Sequence, residues 1–324
     1  MENKFSKITN REQWQALLDK ALFKTFFHNL AWEEFLEKEF KWLKFEHYNY
    51  QNLALLSLAR VRGKLISHPF CEYGGALPLV EKIDGEIFKK DLLAEFKEPL
   101  KINLHPKIFE YFGKLDFNPT DSWRNTYWIE NVSQLKPEEL LSSLRYDIRH
   151  SIKEAEGQGF TFQECDNLED LKAFYKLYCR TVRRHKNIPL PFSFFEFFSH
   201  SAKIFLLKSG KRIATGSVFL SYPPFIHYFI TAADDHFRKQ GVNHLLLWNV
   251  IKKYLGQDYQ YFDLGATRKD SSLEMFKRGW RGKELPIFEI TNGSNGLSLR
   301  QSPLRNILSI LPSCLAKKAI KYKL

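Results

Sequence analysis

Three cations, Arg145, Arg149 and Lys153, recur at four-residue spacing in the stretch SLRYDIRHSIKEAEGQG. The apolar residues Leu141, Leu144, Ile148, Ile152 and Ala155 predict a stripe along one helical face, with the three cations on the stripe beside it and Asp147 and Glu154 on the far side. Like charges four apart on a helix repel by a few tenths of a kcal/mol. Cations held at the edge of a core would aim at bound phosphate or carboxylate, although the spacing alone fits a solvated face equally well. A second anion-binding pattern lies in RKQGVN, where Arg238 precedes Gly241 by three positions at a predicted helix start. First-turn amides and the positive end of the helix dipole attract phosphate there, and glycine lets the backbone come close. Asp263, at the end of a predicted strand in YFDLGAT, is placed to orient an amine or take its proton, or to bond the amides of the following loop. His227 and His244 are further candidates for a base. Arg183, Arg184 and His185 end a helix, where they would either contact an anion or only complement the dipole.

The elements that must position these residues read as follows. Helices are predicted around Arg11 to Leu22, Trp32 to Trp42 and Ile87 to Phe96, and strands at Leu53 to Leu58, Lys64 to His68, Leu100 to Leu104 and within Trp123 to Asn131. A helix then starts near Pro137 and stops near Gly157 or Gly159, followed by a helix from Leu168 to Arg184 capped by Asn167 and a short aromatic helix, Phe194 to Ser199. Strands Ile204 to Lys208, Ile213 to Ser221 and Phe225 to Ala232 form a meander, with turns at Ser209-Gly210 and Pro223-Pro224. Helix Val242 to Leu255, strand Tyr261 to Leu264 and a last strand around Glu284 to Ile290 complete the pattern. The two halves share an order of elements, which implies a duplicated architecture with domains at 1–135 and 136–292 and a basic amphipathic tail at 293–324.

Composition sets the outer limits. A chain of 324 residues, 44% hydrophobic, with 29 Phe, 14 Tyr and 7 Trp, can fill two cores. Its formal net charge of +12 favours a polyanionic partner. Cys71, Cys165, Cys179 and Cys314 have no zinc spacing and read as reduced, and no metal ligands are evident. No apolar run is long enough to span a bilayer, and MENKFSKITNREQW lacks the apolar core of a signal peptide, so a cytoplasmic location is expected. The tail, with Arg305, Lys317, Lys318, Lys321 and Lys323, would either lie on an anionic membrane at the inner face or pack back on the protein.

Four segments in order, LRYDIRHSIKEAEGQGF, YCRTVRRHKNIPLP, YFDLGAT and MFKRGW, resemble the FemAB-like branch of the GNAT acyltransferase superfamily. The resemblance spans roughly residues 120 to 290; the N-terminal half is similar only in general character, through HPFCEYGG and the aromatic helix before it. It implies an α/β (α+β) fold of two GNAT-like domains, each a mixed, mostly antiparallel sheet flanked by helices. It further implies amide formation between an activated acyl or aminoacyl donor and an amine on a cell-envelope precursor, lipid-linked or not, or on a sugar. Acyl-coenzyme A or aminoacyl-tRNA would be the co-substrate, with no tightly bound cofactor. In this reading Arg238, Gly241 and Asn243, with Arg145, Arg149 and Lys153, hold donor or acceptor phosphates, although Asn243 stands where GNAT loops carry a small residue. Lys277 would stabilise the oxyanion, with Phe276 beside it contacting substrate together with Arg183, Arg184 and His185. A small-amine acetyltransferase and a non-catalytic basic binding protein are the alternatives.

Overall fold

The computed structural model describes residues 4–113 and 124–292. The chain divides into two compact units, the first comprising residues up to Asn125 together with Leu285–Gly296, the second essentially Thr126–Glu284. This differs from the expected division at residue 135, because the strand that precedes the predicted boundary is paired inside the second sheet.

The first unit opens with β1 (Phe5–Ile8), α1 (Arg11–Leu18) and α2 (Leu30–Glu39). Asn10 and Asn29 begin the two helices by accepting hydrogen bonds from the amides of Gln13 and Ala31. There follow β2 (Lys44–Tyr50), β3 (Ala54–Val61), β4 (Lys64–Ile66), β5 (Ala76–Pro78), α3 (Gly85–Glu95), β6 (Leu100–Leu104) and the single turn α4 (Phe109–Phe112). The sheet order is β1-β2-β3-β4-β6, with β5 paired to β3. β1 and β2 were not anticipated: KFEHYNY is mostly polar, and only pairing to β3, whose residues are almost all buried, makes it a strand. A core of Phe5, Leu56, Phe88, Leu92, Ile102 and their neighbours fills the space between the sheet and α3.

The second unit runs β7 (Arg124–Glu130), α5 (Pro137–Ser143), α6 (Tyr146–Glu156), β8 (Thr161–Glu164), α7 (Leu168–Arg184) and α8 (Phe192–Ser201). It continues with β9 (Lys203–Ser209), β10 (Arg212–Tyr222), β11 (Phe225–Ala233), α9 (Val242–Tyr254), β12 (Tyr261–Asp263), β13 (Thr267–Arg268), α10 (Ser272–Arg278) and β14 (Lys283–Pro286). Its sheet order is β13-β7-β12-β11-β10-β9-β8, with β14 also paired to β7. The predicted β9-β10-β11 meander is present, antiparallel throughout. β11 and β12 pair in parallel. A single core joins α6, α9 and the sheet through Ile148, Ile152, Leu246, Trp248, Phe262 and Trp280. The fold is thus α/β, with two mixed, mostly antiparallel sheets and their helices.

Two expectations are corrected. The predicted helix from Pro137 to Gly157 is two helices, because Leu144 and Arg145 are extended (ψ 155 and 148). The hydroxyls of Ser142 and Ser143 donate back to the carbonyls of Glu139 and Leu140, competing with continuation of the helix. The predicted last strand is also two: β14 stays with the second sheet, whereas β15 (Phe288–Thr291) pairs antiparallel with β6 of the first. The tail from 293 onward and Cys314 lie outside the described residues. Cys71, Cys165 and Cys179 are not disulfide-bonded. Among the described residues no helix is long and apolar enough to cross a membrane.

Candidate active site

β12 is only three residues long and pairs with Phe225–His227 at the start of β11, which then runs on without it to Ala233. The two parallel strands therefore part company just beyond His227 and Asp263, leaving a fork in the sheet. Asp263 lies at this fork and is fully buried. Its Oδ1 accepts from the Thr126 hydroxyl at 2.5 Å and from the Gly265 amide at 2.8 Å, so it holds the turn by which the chain leaves β12. Of the two roles open to it, the loop-bonding one is what these contacts describe.

α10 stands beside that turn. Ser271 caps it by accepting from the Glu274 amide, and the buried Glu274 carboxylate accepts from Tyr127 Oη at 2.8 Å and from the Asp270 amide. Contact with Glu274 and burial, burial foremost, drive the Tyr127 hydroxyl well above the usual phenol range. So anchored, the helix carries Lys277 inward: its side chain is 3% exposed, and Nζ donates to the carbonyls of Gly265 at 2.8 Å and Ala266 at 3.0 Å. Lys277 and Asp263 thus both bond the same turn, the cation through its carbonyls and the carboxylate through its amide.

The start of α9 is built by its neighbours. Gly241 has φ +69°, and a Cβ there would lie 2.4 Å from the Ser151 carbonyl oxygen of α6. Close helix packing therefore requires this glycine whether or not a phosphate approaches. Asn243 accepts a 2.7 Å hydrogen bond from the Thr215 hydroxyl of β10, which explains the amide side chain at that position. His244 packs against Phe276, the rings tilted and their centroids 4.7 Å apart, and its ring centroid lies 6.0 Å from that of Trp280. Desolvation lowers its pKa to about 4, against a smaller opposing effect of Asp147, so the imidazole is neutral. Phe276 and His244 are thereby brought together next to Lys277, although sequence alone did not connect them.

The basic stripe is dispersed by the break between α5 and α6. Arg145 sits at the helix start and pairs with Asp147. The Arg149 guanidinium donates to the carbonyls of Ser142, at 2.9 Å, and Leu144, closing the end of α5. Lys153 alone of the three is an exposed cation with no anionic partner among the described residues. At the end of α7, Arg184 pairs with Asp235, which Arg238 also approaches at 3.7 Å. His185 is the C-cap residue, its pKa lowered by burial and then by Arg184 and Arg238.

In the first unit, HPFCEYGG forms a strained turn, with φ +43° at His68 and +69° at Phe70. His68 and His28 are buried with their rings 4.3 Å apart, and Gly74 is tight against His68 because a Cβ there would lie 2.7 Å from its ring.

Residues 142–278 match the acetyltransferase (GNAT) domain family. The fold is shared with the C-terminal domain (DUF2156) of a putative lysylphosphatidylglycerol synthetase from Agrobacterium fabrum, at 11% identity and TM-score 0.60 over 88% of this chain and 93% of that one. It is shared equally with L-PGS from Bacillus licheniformis, at 15% identity and TM-score 0.60 over 95% and 97%. FemX matches at 16% identity and TM-score 0.58 over 90% and 98%. No curated protein matches the chain in sequence. The segment from α5 to α10 is a GNAT domain, and the protein is an acyltransferase. Its fold is the one expected of the FemAB-like branch.

Proposed function

We propose that this acyltransferase forms an amide between an activated acyl or aminoacyl donor and an amine on a cell-envelope precursor or sugar. The observation that carries the reading is Lys277, a buried ammonium held at the fork between β11 and β12 beside Phe276. Attack of the amine on an ester or thioester places negative charge on the carbonyl oxygen, and one well-oriented donor at that oxygen lowers the barrier by about 3 kcal/mol. Lys277 supplies the charge and the turn at Gly265 and Ala266 fixes its direction. Asp263 holds that turn through the Gly265 amide, which makes it a positioning residue. Neutral His244, against Phe276, gives the acyl group a flat, apolar neighbour.

The likeness in fold to FemX and to a lysylphosphatidylglycerol synthetase domain supports an envelope acceptor, and the net charge of +12 suits a phosphorylated co-substrate. Acyl-coenzyme A with a small amine is the second reading, favoured by the GNAT domain match.

The deciding experiment follows transfer of a labelled acyl group from acyl-coenzyme A, or of a labelled amino acid from aminoacyl-tRNA, to a nucleotide-sugar or lipid-linked envelope precursor and to small amines. Transfer to the precursor supports the proposal. Transfer only from acyl-coenzyme A to small amines replaces it with the second reading, and binding without transfer from any donor points to a non-catalytic basic protein.

A further inference from the structure

The strongest unassigned feature of the second unit is an open groove of about 660 Å³ between the outer face of α7 and the start of β10. Its walls carry Lys176, Arg180 and Arg183 from α7 and Lys211 and Arg212 from β10 and the turn before it, against one acid, Asp234. The α7 cations fall at i, i+4 and i+7 and so share a face. Five formal positive charges and one negative leave a net +4 around a cavity of small-molecule size.

Asp234 does not neutralise this wall. Its 8% exposed carboxylate accepts from Arg212 Nε at 3.1 Å and from an Arg212 terminal nitrogen at 2.9 Å, and also from the His236 amide; Arg180 lies 3.6 Å away. One fixed anion therefore orients two guanidinium groups, and the ring of Phe237, 5.2 Å from the Arg212 guanidinium, fixes that one further. Lys176 and Lys211 have no anionic partner among the described residues. Burial of Leu177 and Ile213 supplies an apolar floor. Like charges gathered in a cavity repel unless an anion occupies it, and preoriented guanidinium groups match phosphate oxygens in pairs.

We propose that this groove binds the pyrophosphate group of a small phosphorylated molecule. The Arg212 and Arg180 guanidinium groups hold one phosphate, and Lys176 and Lys211 supply charge to the second. The inference stands apart from the acyl donor and acceptor proposed above, because occupancy is read without turnover.

Calorimetric titration of the full-length protein with inorganic pyrophosphate and with orthophosphate at low salt tests it. Pyrophosphate is expected to bind about tenfold or more tighter than orthophosphate, because its added charge meets added cations, with binding weakened by salt. The double variant Lys176→Ala/Lys211→Ala is expected to lose about tenfold in affinity with its melting temperature unchanged, since both side chains are exposed and unpaired. Lys203→Ala, which removes a cation paired with Glu164 outside the groove, is expected to change nothing. Equal affinity for the two anions, no binding at millimolar concentration, or a double variant that binds like the parent would overturn the proposal. So would binding of an RNA oligonucleotide that pyrophosphate fails to displace.

Discussion

Lys277 Nζ lies 2.8 Å from the carbonyl oxygen of Gly265, two residues beyond Asp263, whose carboxylate accepts from the amide of that same glycine. One peptide turn is therefore held by a buried cation and a buried anion through separate hydrogen bonds.

Replacement of Lys277 by Met, which keeps most of its volume, is expected to lower turnover by about a hundredfold or more. It is also expected to cost about 1–3 kcal/mol for each carbonyl left without a donor. Turnover measured beside a melting curve separates the two effects, and an undiminished rate in a folded variant would remove Lys277 from the chemistry.

Asp263→Asn retains an acceptor toward Thr126 and Gly265 but loses the charge. The expected result is a stability loss of about 1–2 kcal/mol by denaturant titration with a smaller fall in turnover than Lys277→Met causes. A larger fall, with stability intact, would make Asp263 the proton acceptor.

Gly241→Ala places a methyl group 2.4 Å from the Ser151 carbonyl oxygen at a φ of +69°. Destabilisation of about 2 kcal/mol is expected from the displaced helix and the strained backbone. A normal melting temperature would show that α6 yields readily at this point.

Acid should weaken the fold. Burial lowers the pKa of His28 to about 4, with Lys24 adding a smaller push in the same direction, and burial depresses His68 too. Unfolded histidines protonate near 6.5, so between about pH 6.5 and 4 the unfolded chain binds more protons and stability falls as pH falls. For His28, which is 2% exposed, the loss is on the order of 3 kcal/mol across that window. His28→Gln is expected to flatten the fall in melting temperature between pH 7 and 4.5, and an unchanged slope would exclude His28 as its source.

Local regularities were legible in the sequence. The bounds of α7 and its Asn167 cap, β6, and the β9-β10-β11 meander follow from periodicity and turn residues, because they depend on contacts within each element or between sequence neighbours. The family segment from α5 to α10 was likewise readable from four short motifs. The break at Leu144 and Arg145 was not, since apolar spacing continues across it and only the serine back-bonds and the Arg149 guanidinium interrupt the helix. Nor was the stretch KFEHYNY recognisable as a strand before β3 was laid beside it. Lys211 and Arg212 come beside Lys176, Arg180 and Arg183 only in the folded unit.

Sequence by itself determined that Lys277 follows Phe276, that Gly241 precedes a helix and that Asp263 ends a strand. Tertiary structure alone decided that Lys277 and Asp263 grip one turn, that Gly241 is held against Ser151, and that the last strand, Phe288–Thr291, joins the first sheet. The physical reason is range: caps, turns and periodicity act over a few residues, whereas strand pairing and close packing unite positions beyond that reach, where the local sequence offers no signal.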